Sequence, residues 1–358
     1  MASQRAGRID PNPHQIDAVV FALRRIPEGG CILADEVGLG KTIEAGLVIA
    51  QMLAEGARRI LLITPKPLVG QWREELYALF DIVVREGKAE RNAFDGDGVF
   101  LVGRESAGTK TMSGLLEHSA PFDLCVVDEA HELFAGIYKR YAADGSYKDD
   151  AGHAKVAHRV REVLGATPVL LLTATPIQNS LAELWGLIQY VDPSGTLLGD
   201  LPTFRELFTG QDDRSLAPGA DHELRRRVQR VVQRTLRRQA QEFMEQPFVG
   251  RRARTFEYKM TEEEKVIYDD VTRYLLSPNL QAFRGTHRSL LLLGFHRRMA
   301  SSKAALARSL KNVENRLQRM LTAAQAGRFD EGEETARVFV DDLDGDDEIV
   351  AALSAESE

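Results

Sequence analysis

The sequence predicts an α/β fold in which a parallel sheet is covered by helices on both faces and followed by a C-terminal helical subdomain. Three observations predict it: apolar runs alternate with helical patterns over residues 30–175, a glycine-rich turn closes the first run, and the strand signal fades beyond Pro193. Strands that are apolar throughout belong in a sheet buried on both faces, which is the arrangement of parallel α/β folds. At 358 residues and 44% hydrophobic content, the chain can bury one large core or two modest ones.

The first run, 31–34, leads into Asp35-Glu36-Val37-Gly38-Leu39-Gly40-Lys41-Thr42 and then a helical pattern over 43–50. Further strands are expected at 60–64, 82–84, 99–102, 124–127 and 169–172. The fifth run ends in Asp128-Glu129-Ala130-His131 and the sixth in Thr173-Ala174-Thr175-Pro176-Ile177-Gln178-Asn179. Between them, residues 136–153 are rich in Gly, Asp and Tyr without an apolar period and read as a surface loop. Arginine-rich helical patterns follow at 224–240, 262–276 and 290–321. The expected organisation is a nucleotide-binding lobe over 1–195, a helical subdomain over 196–329 and an acidic, disordered tail over 330–358.

Charge is unevenly spread. Residues 330–358 hold twelve acidic side chains and one Arg, a balance of −11 that leaves +4 on residues 1–329 out of the total of −7. A mildly basic folded part is compatible with a nucleic-acid partner. Cys31 and Cys125 lie inside apolar runs and read as reduced core thiols, and the eight histidines lack metal-ligand spacing. No apolar stretch reaches the roughly 18 residues of a membrane span, and residues 1–10 lack a signal-peptide core, so a cytoplasmic protein without a membrane partner is expected.

In a sheet of this kind ligands gather at the carboxyl ends of the strands. Gly38, Leu39 and Gly40 can wrap backbone N–H groups round phosphate oxygens, with Lys41 reaching the terminal phosphates and the Thr42 hydroxyl holding Mg²⁺. The general pattern wants Gly where Asp35 stands. Asp128 is placed to hold the metal, directly or through water, and Glu129 to polarise the attacking water, which makes Lys41, Asp128 and Glu129 the catalytic candidates and Mg-ATP the expected ligand. Thr173, Thr175, Gln178 and His131 are candidates for coupling hydrolysis to movement.

These motifs, together with Leu181-Ala182-Glu183-Leu184-Trp185-Gly186-Leu187, resemble the Swi/Snf-type translocases of helicase superfamily two. Residues 34–46 are most similar to a bacterial branch that includes the RNA-polymerase-recycling ATPase and phage-defence translocases. The resemblance implies a RecA-like lobe stimulated by double-stranded DNA. It implies that Gln15 reads the adenine edge and that Thr64, Lys66, Gln71 and Ser106 lie along the tracked DNA strand. The sequence at Gly103-Arg104-Glu105-Ser106 departs from the family pattern, and Trp72 reads first as a core aromatic. Arg227, Arg230, Arg234 and Arg238 line up on one face of the expected 224–240 helix, either as solvated surface or bordering a DNA groove.

A motor of this type closes two lobes on ATP. No second parallel-sheet pattern follows Pro193, and the run at 246–254 has one residue too many to match an arginine finger. Loss of such a finger costs about 10³ to 10⁵ in rate, so residues 1–358 are expected to bind ATP, to hydrolyse it slowly, and to need a missing C-terminal RecA-like lobe. The alternatives are a nucleotide-gated module that docks a protein partner through its helical subdomain, and an RNA-helicase lobe.

Overall fold

The computed structural model describes residues 9–90, 92–142, 144–148, 155–242, 254, 259–277 and 288–325. Chain contacts divide it into two compact units, Met1–Gly250 and Arg251–Glu358.

The first unit is built on strands β1 (Gly30–Leu33), β2 (Arg59–Thr64), β3 (Val84–Glu86), β4 (Gly98–Gly103), β5 (Leu124–Val127), β6 (Val169–Leu172) and β7 (Val232–Gln233). Its helices are α1 (Pro13–Arg25), α2 (Lys41–Ala54), α3 (Val69–Phe80), α4 (Arg104–Ala107), α5 (Lys110–Ser119), α6 (Ala130–Phe134), α7 (Lys155–Leu164), α8 (Leu181–Val191), α9 (Leu201–Phe208), α10 (Asp221–Val228) and α11 (Arg237–Gln241). The strands form one parallel sheet in the order β3-β4-β2-β5-β6-β1-β7.

Alternation along each strand sends side chains to two cores. Cys31, Leu33, Ile60, Leu62, Leu124, Val126, Leu170 and Leu172 pack with Ala18, Val48, Leu76 and Phe80 of α1–α3. Ile32, Leu61, Ile63, Cys125, Val127 and Leu171 face the other way, against Met112, Phe134, Val160, Trp185 and Phe204 of α5–α9. Burying both faces is why these strands read as continuous apolar runs. The two cysteines are free, buried, and on opposite faces.

All six expected strands are present, with the third shifted to Val84–Glu86. The expected helix over 224–240 is not continuous. α10 ends at Val228, β7 pairs in parallel with Ile32 and Leu33 of β1, and α11 starts at Arg237. Arg227, Arg230, Arg234 and Arg238 therefore share no helix face. Backbone pairing with the edge of the sheet won over a helical arginine period, and β7 belongs to the sheet of the first compact unit, which runs to Gly250. Within the expected loop 136–153, Ala135–Arg140 is a 3₁₀ helix with Ile137 and Arg140 buried.

In the second unit the structure describes α12 (Glu262–Leu275), α13 (Arg288–Ser301) and α14 (Lys303–Gln325). Thr261 and Glu264 form a capping box at the start of α12. The pattern expected as one helix over 290–321 breaks at Ser302, whose hydroxyl accepts from Ala305 N–H at 3.0 Å and starts α14. Residues 246–253 and the acidic tail 330–358 lie outside the described residues. Among the described residues, no helix is long and apolar enough to cross a membrane.

Candidate nucleotide-binding site

β1 delivers the glycine-rich turn and α2 begins on it at Lys41. Gly38 (φ 85°) and Gly40 (φ 93°) both occupy the left-handed region. At Gly40 a Cβ would lie 2.4 Å from Gln15 Nε2, so sterics as well as φ demand glycine. The buried Gln15 amide of α1 donates to Leu39 O at 2.9 Å and its oxygen accepts Asn12 N–H at 2.9 Å, tying α1 to the turn. Lys41 Nζ donates to Asp35 O at 2.8 Å. A turn that lacks Cβ atoms at Gly38 and Gly40, opening onto a helix N-terminus with Lys41 and Thr42 in its first turn, fits a phosphate chain.

Asp35, where a glycine is usual, causes no conflict. Its carboxylate is fully buried and accepts Thr235 N–H at 2.6 Å. Beside it Glu44 of α2 is also fully buried; burial, and then the charge of Asp35, push its carboxyl up to about 9. Burial raises Asp35 as well, against the opposing bonds from Thr235. Both Glu44 oxygens and Asp35 Oδ2 lack a donor, and a proton on Glu44 would pair one of its oxygens with Asp35.

β5 lies one strand from β1, with β6 between them, so the carboxylates open on the same edge as the glycine turn. Asp128 is held on three sides. Its Oδ2 accepts the Trp72 indole N–H at 2.7 Å and the Thr64 hydroxyl at 3.4 Å, and its Oδ1 accepts Glu129 N–H at 2.9 Å. Glu129 sits at φ 47°, ψ 48°, a left-handed conformation that costs a non-glycine residue on the order of 1 kcal/mol and aims its side chain off the end of the strand. Burial, and next the neighbouring Asp128, raise the Glu129 carboxyl, while the Lys41 ammonium pulls it the other way.

From Glu129 a polar series crosses to β6. His131 Nδ1 lies 3.3 Å from Glu129 Oε2 and 2.9 Å from Thr173 Oγ1. Thr173 Oγ1 accepts Thr175 N–H at 3.1 Å, and the Gln178 amide donates to Thr175 Oγ1 at 3.3 Å. Glu183 in the first turn of α8 then accepts Gln178 N–H at 2.7 Å. The coupling candidates thus form one connected set.

The residues expected along DNA separate. Lys66, Gln71 and Ser106 are exposed, and Lys66 N–H reaches Glu105 Oε2 at 3.3 Å, which joins the segments following β2 and β4. Thr64 is different. It is fully buried, with its hydroxyl donating to Asp128 Oδ2 at 3.4 Å. Trp72 is a core aromatic with a polar task, since its indole N–H is the shorter bond on Asp128 Oδ2. Glu44 lies within the 34–46 resemblance, and Thr235 and Arg237 within a segment, 235–238, that resembles a family stretch near the hinge; their contacts with the glycine turn have no local sequence signal.

Comparison with known proteins agrees with this geometry. The SNF2-related domain family matches residues 14–317. An uncharacterized ATP-dependent helicase of Bacillus subtilis, YqhH, is 30% identical over 332 residues, covering 92% of this chain and 52% of that protein. The RNA polymerase-associated protein RapA of Stutzerimonas stutzeri is 35% identical over 206 residues, which cover 55% of this chain and 20% of that protein. The chain thus spans about half the length, or less, of these curated relatives. The fold is similar to that of the Sulfolobus solfataricus SWI2/SNF2 ATPase core solved in complex with dsDNA, with a TM-score of 0.53 at 19% identity over 87% of this chain and 65% of that one. With its RecA-like sheet and a family match that runs across both units, the chain belongs to the SNF2-related family of helicase-like ATPases.

Proposed function

We propose that residues 1–358 are the N-terminal ATPase lobe of a DNA-stimulated, ATP-dependent translocase, working in the cytoplasm on double-stranded DNA. The observation that carries this reading is that the glycine turn after β1 and the carboxylates after β5 lie at the same end of one parallel sheet, with β6 between the two strands. Gly38, Leu39 and Gly40 cradle the phosphates, Lys41 exchanges the Asp35 carbonyl for phosphate oxygens, and Gln15 turns toward the adenine edge. Thr42 and Asp128 would hold Mg²⁺, which would supply charge neutralisation to the phosphates. Glu129, its pKa raised by burial and by Asp128, accepts a proton from the attacking water.

His131, Thr173, Thr175 and Gln178 pass the state of that site to the surface that meets a second RecA-like lobe. Lys66, Gln71 and Ser106 contact the tracked strand. The dsDNA in the similar Sulfolobus solfataricus core supports this choice of nucleic acid. An arginine from the second lobe supplies the remaining stabilisation, so the isolated chain binds ATP and turns over slowly.

The test is ATPase activity with and without duplex DNA, for residues 1–358 alone and joined to the remainder of a full-length relative. Strong stimulation only in the joined protein is expected. Full DNA-stimulated activity in residues 1–358 alone, or none in either, contradicts the proposal.

A further inference from the structure

Beyond the sheet, the chain that leaves β7 follows the glycine turn residue by residue. Ile32 N–H donates to Val231 O at 2.8 Å, Ala34 N–H to Gln233 O at 2.7 Å and Glu36 N–H to Thr235 O at 3.1 Å, so the ladder continues past the end of β1 into the turn itself. The contacts then reverse direction. Thr235 N–H donates to Asp35 Oδ1 at 2.6 Å, Arg237 N–H donates to the Glu36 carboxylate, and the Arg237 guanidinium donates to Val37 O through Nε at 3.0 Å and Nη2 at 2.6 Å.

Three consecutive residues of the turn, Asp35, Glu36 and Val37, are therefore held by one short stretch. The guanidinium also fills the space at Gly38, where a Cβ would lie 2.7 Å from Arg237 Nη2. Forked, charged donors to one carbonyl fix both its position and its direction. Since Val37 directly precedes the glycines, fixing its carbonyl fixes the N–H groups that follow.

We propose that Arg237 is a positioning residue for the phosphate-binding turn, and that the segment 235–237 links nucleotide affinity to the path of the chain as it leaves this unit. The inference rests on the nucleotide-site reading above. Its consequence is reciprocal: displacing the segment loosens the turn and weakens nucleotide binding, and a bound nucleotide must hold the segment in place. α11 begins at Arg237, and the chain then runs on toward residue 251, where the second unit starts.

The experiment measures binding of a fluorescent ATP analogue with Mg²⁺ to the full chain and its variants, together with amide hydrogen exchange over residues 231–242. Arg237→Ala is expected to weaken binding about 10-fold, as two charge-assisted bonds are lost, and Arg237→Lys to restore part of it. In the unmodified chain, the analogue is expected to slow exchange at Thr235 and Arg237, a readout that needs no variant and that a purely structural arginine would not give. Unchanged affinity in Arg237→Ala with exchange indifferent to nucleotide overturns the inference and leaves the nucleotide site intact. No binding by the unmodified chain overturns both.

Discussion

The indole N–H of Trp72 donates to Asp128 Oδ2 at 2.7 Å, so a side chain from α3, wedged in the core, sets the carboxylate at the end of β5. The bond spans 56 residues of sequence and two elements. It fixes one lone pair of Asp128 and leaves the carboxylate little freedom to rotate, which is the preorganisation a metal-binding group needs.

Replacing Trp72 with Phe keeps most of the apolar packing and removes the donor. The variant is expected to lose about 1–3 kcal/mol of stability, because a buried charged acceptor is left with the longer Thr64 bond. Denaturant unfolding checks the stability, and Mg²⁺ titration of nucleotide binding checks the carboxylate. A variant with unchanged metal affinity removes Trp72 from the site.

Glu44 predicts a pH dependence of folding. Burial in the folded chain pushes the Glu44 carboxyl up to about 9, whereas in the unfolded chain it titrates near the ordinary glutamate value of 4.5. Between these values the unfolded chain has released a proton that the folded chain keeps, so this contribution is full below the lower value and falls as pH rises through the window. A single proton gives a slope of up to about 1.4 kcal/mol per pH unit. Glu44→Gln, neutral at every pH, should flatten urea-unfolding stability between pH 5 and 9 and exceed the unmodified chain at pH 8. Parallel curves for the two proteins would mean that Glu44 is ionised in the core.

Gly40→Ala puts a methyl at φ 93° and against the Gln15 amide. The backbone penalty is about 1–2 kcal/mol, and Gln15 must give up Leu39 O or the turn must shift. Nucleotide binding should fall at least 10-fold, roughly the equivalent of that penalty, with a modest drop in melting temperature. Binding at the original affinity would show that the turn does not use this geometry.

Thr173→Val removes the hydroxyl between His131 and Thr175 while keeping the shape of the side chain. In a protein that includes the second lobe, DNA stimulation should drop several-fold with nucleotide affinity kept. Steady-state ATPase assays with and without duplex DNA separate the two, and undiminished stimulation rules out this route of coupling.

How much was legible in the sequence follows from which interactions have a local signature. β1, β2, β4, β5 and β6 are bounded apolar runs because both of their faces are covered, and the glycine turn and the Asp128-Glu129 pair are local patterns tied to a strand end. β7 has no such signature. Its two residues, Val232 and Gln233, sit among arginines whose spacing mimics a helix, and only the free edge of β1 makes a strand of them. The same long-range pairing explains Asp35, whose partner Thr235 is 200 residues away. The burial of Thr64 has no local signature either: its neighbours Lys66 and Gln71 are exposed, whereas the last residue of β2 points inward to Asp128. For Trp72, burial was readable from its type, but the direction of its N–H depends on a carboxylate that arrives from β5.

The central claim is that the glycine turn and the β5 carboxylates serve one magnesium-bound triphosphate, and calorimetric titration of ATP with and without Mg²⁺ tests it most directly. The unmodified chain should bind ATP more tightly with the metal, Asp128→Asn should lose that enhancement but keep metal-free binding, and Lys41→Ala should weaken both. An Asp128→Asn protein that shows the full magnesium enhancement would contradict the account, because the carboxylate would then not face the nucleotide.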